Sequence, residues 1–227
     1  MTRKGEKMRI ALDGPSGAGK STVAKALAKE LGIIYVDTGA LYRTIGLYVK
    51  NKGLEKTDTP AIISCLDEIK LGMEFINGEQ IITLNGNKIG QEIRTGEIAM
   101  YASAVSAIPE VRTFLLETQR KIARENDVVM DGRDIGTVII PDAEVKIFMV
   151  ASAEARAKRR FLELQAKGES CTLESVLADI VERDTNDSTR KTAPAIPAED
   201  AIHLDNSELS IEETVARVIE IIEAKQK

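Results

Sequence analysis

The run Gly14-Pro15-Ser16-Gly17-Ala18-Gly19-Lys20-Ser21-Thr22 carries the spacing G-x-x-x-x-G-K-[ST], and each part of that spacing suits a chain of phosphates. Glycines at 14, 17 and 19 let the backbone turn its N–H groups inward and come closer to an anion than a Cβ permits. Those N–H groups, with the positive end of the helix that follows, favour negative charge. Lys20 adds a point charge for the β and γ phosphates, and the Ser21 hydroxyl is placed for a Mg2+ ion bridging them.

A second set of polar residues stands at the ends of expected strands. Asp37 and Thr38 follow the apolar run Ile33–Val36, and Asp131 closes Asp127–Asp131, with Arg133 and Asp134 directly after it. An acid that ends a buried strand beside a phosphate loop is a candidate to hold Mg2+ through water. Thr38 has a plainer alternative as a helix N-cap, and Arg133 with Asp134 as a turn with an exposed ion pair. Arg43 lies about one turn into the next helix and can point back to the same edge. Ser103 and Arg112 face either one cleft or the plain surface. Arg156, Arg160, Arg183 and Arg190 bracket an expected mobile segment, which makes them candidates to clamp phosphates on closure, while Lys158 reads as solvated.

The elements that must position these groups follow from periodicity. Met8–Asp13 reads as a strand, and Val23, Leu27 and Leu31 line one face of a helix that stops at Gly32. Strand, helix and strand in so few residues require a right-handed crossover with parallel strands, so Asp37 and Thr38 share the carboxyl edge of the glycine turn. Asp58–Leu71 reads as a helix. Met73–Ile89, with Asn77-Gly78 and Asn85-Gly86, reads as a small antiparallel meander. Gly96–Ser106 is helical, and Pro109 opens a helix turning Val111, Leu115 and Ile122 inward. Val145–Val150 is a strand, followed by a basic helix from Ala153 and by another with Val176, Leu177, Ile180 and Val181 on one face. Ala193–Pro197 is an extended linker to a strand at Ala201–Asp205. Ser210 and Glu213 form a capping box for a helix aligning Ile211, Val215, Val218 and Ile222.

Composition bounds the partners. With 43% hydrophobic and 30% charged residues the chain reads as an ordinary globular protein, and a net charge of −5 disfavours nucleic acid or an anionic membrane as a partner. Cys65 and Cys171 lack any metal or disulfide spacing, and His203, the single histidine, reads as a packing or surface residue. Met1–Lys7 is charged and lacks an apolar segment, which suggests a loose tail rather than a secretory signal, and no apolar run approaches the ~20 residues of a membrane span. The expectation is a cytoplasmic protein, with a monomer as the default.

Four stretches together resemble the bacterial cytidylate kinases: Gly14–Thr22, Asp37–Arg43, Asp131–Thr137, and Glu182–Asp184 through Asp187 and Arg190. The resemblance runs from Ile10 to the end, and the meander matches the insert that distinguishes this group from adenylate kinases. It implies an α/β P-loop nucleoside-monophosphate-kinase fold: a five-stranded parallel sheet with helices on both faces, a small antiparallel β insert and a lid. One kinase domain then spans 1–227, with core segments 8–62, 108–156 and 192–227, an acceptor-binding insert at about 63–107 and a lid at about 157–191.

The resemblance also implies an activity, ATP-dependent phosphorylation of CMP and dCMP with Mg2+. Gly14, Pro15, Ser16, Gly17, Ala18, Gly19, Lys20, Ser21 and Thr22 would bind ATP, joined by Arg156 and Arg160, and Ser21 and Asp131 would hold the metal. Arg43 and Arg133 would hold the acceptor phosphate, near Thr38. Ser103, Arg112 and Asp134 would read the cytosine edge. Asp187 with Arg183 would contact the sugar, and Arg190 would support that aspartate and the phosphates, which makes Lys20, Arg133, Arg183 and Arg190 the catalytic set. Two alternatives share the glycine turn: a kinase of another small acceptor (AMP, UMP, shikimate or a sugar acid), and a non-catalytic ATP-binding switch.

Overall fold

The computed structural model describes residues 7–166 and 168–225; Met1–Glu6, where most of the tail expectation falls, lie outside the described residues. In chain order the first elements are β1 (Arg9–Asp13), α1 (Lys20–Leu31), β2 (Ile34–Asp37), α2 (Thr38–Asn51) and α3 (Thr59–Ser64). Then come β3 (Leu71–Ile76), β4 (Glu79–Leu84), β5 (Asn87–Ile89), α4 (Gly96–Ser106) and α5 (Pro109–Glu125). The remainder is β6 (Val128–Gly132), β7 (Val145–Val150), α6 (Ala153–Ala166), α7 (Leu173–Thr189), β8 (Ile202–Asp205) and α8 (Ile211–Lys225).

Five strands form one parallel sheet in the order β2-β6-β1-β7-β8. Both faces are covered, as near-continuous apolar strands require. Ile10 and Leu12 pack with Val23 and Leu27 of α1 and Val218 and Ile222 of α8, while Ala11, between them on β1, packs on the other face with Val36, Met130 and Ala123. The register sets Asp37 beside Asp131, and Asp131 beside Leu12, so that Asp13, Asp37 and Asp131 all finish at the carboxyl edge.

The antiparallel insert is a separate three-stranded sheet, β3-β4-β5. Its two turns carry positive φ at both central positions, Asn77 54° with Gly78 80° and Asn85 51° with Gly86 85°, which is type I′ geometry. Ile82 of β4 joins a core with Leu41 and Ile45 of α2, Ile98 of α4, and Val111 and Leu115 of α5.

Several expectations are corrected. Asp58–Leu71 is not one helix: α3, capped by Asp58, gives way to a tight turn at Leu66–Glu68 and then to β3. The hairpin captures the chain there, since Lys70 donates to the Asn85 carboxamide and Asn85 N–H donates back to the Lys70 carbonyl. Val181 stays exposed, because α6 and α7 share only a narrow cluster of Ala157, Val176 and Ile180. Ile211 is exposed too, as α8 becomes buried only from Thr214 and Val215 onward.

Sequence periodicity also does not announce the π-helical turn at Ile135–Ile139. Arg120 of α5 closes its far end by donating to the carbonyls of Val138 (2.8 Å) and Ile139 (3.2 Å).

Candidate active site at the carboxyl edge of the sheet

The glycine turn joins β1 to α1 through backbone angles that side chains resist. Gly14 has φ 143°, and a Cβ there would lie 2.0 Å from the Met149 carbonyl of β7; Gly19, at φ 85°, leads directly into α1. Asn206 supports the turn from β8's end by donating to the Ala18 carbonyl (2.9 Å). Lys20 is buried and its ammonium donates to the Pro15 carbonyl (2.7 Å). Burial, with Arg133 nearby, pulls this lysine well below its ordinary pKa, against the opposing pull of Asp131 and Asp13.

Ser21 donates to one oxygen of Asp131 (2.9 Å) and Tyr35 to the other (2.8 Å). Burial and the neighbouring Asp37 push Asp131 upward, with Lys20 opposing. A hydroxyl and a carboxylate at this edge fit the few protein ligands that Mg2+ takes when phosphates and water supply the others. Asp13, the last residue of β1, is also buried; it accepts the N–H groups of Ile135 (2.8 Å) and Gly136 (2.7 Å). Burial raises Asp13 to about 6, an effect that the two N–H bonds and Lys20 reduce and Asp134 reinforces.

On the other side of Asp131 the helix cap is Asp37, which accepts from Ala40 N–H (2.9 Å), while Thr38 donates its hydroxyl to the Asp131 carbonyl (2.7 Å). Thr38 is therefore not the cap. Arg43 comes within 3.9 Å of Asp37, and Arg94, from the segment after the meander, donates to the same carboxylate (2.8 Å). Gln80 of β4 pairs with the Asp37 peptide, accepting from its N–H (2.7 Å) and donating to its carbonyl (3.2 Å).

The remaining arginines converge from three directions. Arg133 donates to Asp187 (2.9 Å), which Arg190 approaches within 3.9 Å. Arg183 donates to the Ser16 hydroxyl in the glycine turn (3.2 Å); Arg156 donates to the Ser16 carbonyl (3.0 Å) and pairs with Asp184 (2.6 Å). Arg112 and Asp134 form a buried ion pair, with the Arg112 guanidinium 5.5 Å from the Tyr42 ring centre. A cavity beside them is lined by Tyr42, Arg112, Gln119 and Val138.

Burial lowers Arg43 and Arg190, and burial with the nearby Arg133 lowers Arg183 to about 10. Asp187 is lowered too, for a different reason: burial pushes it up, but Arg133 and Arg183 outweigh that and hold it below the usual carboxylate range. Cations crowded in this way favour an anion among them.

The Arg190 guanidinium donates to the Ser106 hydroxyl (3.2 Å), which itself donates to the carbonyl of Ser103, one turn earlier (2.8 Å). Arg160 pairs with exposed Glu163 (3.1 Å) on α6 rather than with the glycine turn. Asp13, Tyr35, Gln80, Arg94 and Ser106 escaped the sequence reading. Only Asp13 carried a usable signal, since it is an acid ending a strand, the same signal that singled out Asp131.

The sequence matches the family model described as Cytidylate kinase over residues 10–224. A cytidylate kinase of Thermosipho melanesiensis is 52% identical over 219 residues, covering 96% of this chain and 98% of its own. One from Caldicellulosiruptor saccharolyticus is 48% identical over 216 residues, covering 95% and 96%. Among solved structures, an uncharacterized protein from Eubacterium ventriosum aligns with a TM-score of 0.52 at 13% identity, covering 96% of this chain and 99% of that one. At that identity the likeness concerns the fold alone.

Proposed function

The chain belongs to the cytidylate kinase family, and on that premise we propose how its own residues move a phosphoryl group from ATP to CMP or dCMP, giving ADP and CDP or dCDP. The observation that carries the reading is the crowding of Arg43, Arg133 and Arg183 at the sheet edge that holds Lys20, with Arg183 already bonded to Ser16 of the glycine turn.

The turn Gly14–Thr22 cradles the ATP phosphates, and Lys20 leaves the Pro15 carbonyl for them. Arg156 steadies the turn through Ser16, and Arg160 joins when α6 closes. Arg43 and Arg133 take the acceptor phosphate near Thr38. Asp134 accepts from the cytosine amine, with Arg112 and Ser103 on the same edge and Ser106 beside them. Asp187 with Arg183 takes the sugar, and Arg190 supports both Asp187 and the phosphates. Ser21 and Asp131, the latter through water, would hold Mg2+, which when bound neutralises charge between the β and γ phosphates.

Transfer passes through a loose transition state, so alignment and charge neutralisation do most of what catalysis requires. The acceptor phosphate is ionised at neutral pH and needs no general base, consistent with a site rich in arginine and without histidine. Water competes as acceptor, which gives the α6–α7 segment, about 157–191, its role as a lid. The insert at about 63–107 serves the acceptor side, and the core comprises 8–62, 108–156 and 192–227. Donor and acceptor groups all lie on this chain, so the proposed site needs no residue from a second copy. The net charge of −5 supports small phosphorylated ligands rather than nucleic acid or membrane as partners, in the cytoplasm.

A coupled ADP-release assay across CMP, dCMP, UMP and AMP tests the reading. CMP and dCMP should be the preferred acceptors; a preference for AMP or UMP would overturn it.

A further inference from the structure

We propose that Asp13 is a positioning residue for the acceptor side, its carboxylate fixing the turn that presents Arg133 and Asp134. The inference rests on the reading above, because it assigns those two residues to the acceptor.

Both Asp13 oxygens are used. One accepts Ile135 N–H and the other Gly136 N–H, across more than a hundred residues of chain. These N–H groups open the π-helical turn, where the first donors lack partners within the turn and a carboxylate suits the positive end. Asp134 closes the same turn by accepting Val138 and Ile139 N–H at its carbonyl (2.9 and 3.2 Å). A shift at Ile135 and Gly136 therefore reaches Asp134 and Arg133 through one and two peptide units. Those side chains make the paired contacts of the acceptor side, Asp134 with Arg112 and Arg133 with Asp187. Asp13 also immediately precedes Gly14, so one buried residue joins the donor turn to the acceptor turn. A Cβ on Gly136 would crowd Lys146 Cδ at 3.2 Å and come into van der Waals contact with Asp13 Oδ2 at 3.4 Å, so the turn packs directly on both side chains.

The test is D13N in the full chain, with CMP, UMP and ATP varied in steady-state kinetics. An amide accepts at one oxygen only and turns its own N–H groups toward the second donor, so one anchor is lost. The KM for CMP should rise roughly tenfold, the size of one lost charge-assisted bond, and the preference for CMP over UMP should fall. The KM for ATP should stay within about twofold. A residue needed only for folding lowers the active fraction and hence kcat, leaving both KM values in place, and that outcome overturns the proposal. Equal rises in both KM values also overturn it, because Asp13 then acts through Lys20.

G136A crowds the same turn against the Lys146 side chain, 3.2 Å from the added Cβ, and decides the matter if D13N does not fold. A rise of a few-fold confined to the acceptor KM supports the proposal, and unchanged or equal shifts refute it. Wild-type acceptor preference tests the reading itself. If another monophosphate is preferred, the D13N ratio is measured with that one.

Discussion

The glycine turn takes its form from its own backbone, with Gly14 at φ 143° and Gly19 at φ 85° within a few residues of one another. The groups proposed for the acceptor reach the sheet edge from α2, α5, the turn after β6, and α7. Those side chains satisfy one another: Arg43 and Arg94 at Asp37, Arg112 at Asp134, Arg133 and Arg190 at Asp187. On the proposed assignment the donor cradle is built mainly within one short stretch of chain, whereas the arginines assigned to the acceptor are held by carboxylates, in part from distant elements, which an acceptor would displace. Affinity for ATP should therefore depend on a few local residues, and affinity and selectivity for the acceptor on many distant ones.

The sharpest way to break that contrast is Lys20→Ala. Turnover should fall by about a thousandfold or more with the fold retained, since a preorganised charge at the transferring phosphoryl group is lost. Circular dichroism and the coupled assay check both halves, and a normal kcat would remove the role given to this lysine.

Asp134→Ala comes next. The acceptor KM should rise about a hundredfold against little change for ATP, and stability should drop by about 3–5 kcal/mol because Arg112 is left buried without its partner. Equal losses for both substrates would show that the two sides are not separable.

Asp13, which touches both sides, gives a pH signature. Its folded value, about 6, lies above the ordinary 3.8, so the ionised carboxylate opposes folding at pH 7. That opposition fades as pH falls through 6 toward 3.8, with Lys20 and Asp134 the charged groups acting on it. Urea titrations of wild type and D13N should show the stability difference moving in favour of wild type by up to about 3 kcal/mol between pH 7 and pH 4. A difference independent of pH would mean that burial does not dominate this group.

The mildest change is Gln80→Ala, which removes two bonds between the insert and the Asp37 peptide. A loss of about 1 kcal/mol and a rise of a few-fold in the KM for CMP are expected, with ATP unaffected. An effect on ATP alone would detach the insert from the acceptor side.

Local features were legible because they depend on neighbours along the chain. The glycine turn, the Gly32 cap, both Asn-Gly turns and the Ser210–Glu213 capping box all follow from backbone angles and short-range bonds, and all are present in the structure. Helix periodicity also predicted most buried faces, and it failed at Val181 and Ile211, where the neighbouring element does not reach.

Residue types and spacing alone determined a parallel α/β fold with a phosphate loop and a set of arginines to serve it. Tertiary structure alone decided which side chains meet. Ser103 and Ser106 lie one turn apart on α4, and only packing puts the Ser106 hydroxyl against Arg190. Gln80 and Arg94 show no sequence pattern, yet the fold brings both to Asp37. Arg133 and Asp187 are 54 residues apart and meet because α7 returns over the sheet edge. A loop's shape is set by torsions that each residue type favours or resists, whereas convergence across the chain depends on which faces pack, and that is settled only when the whole core closes.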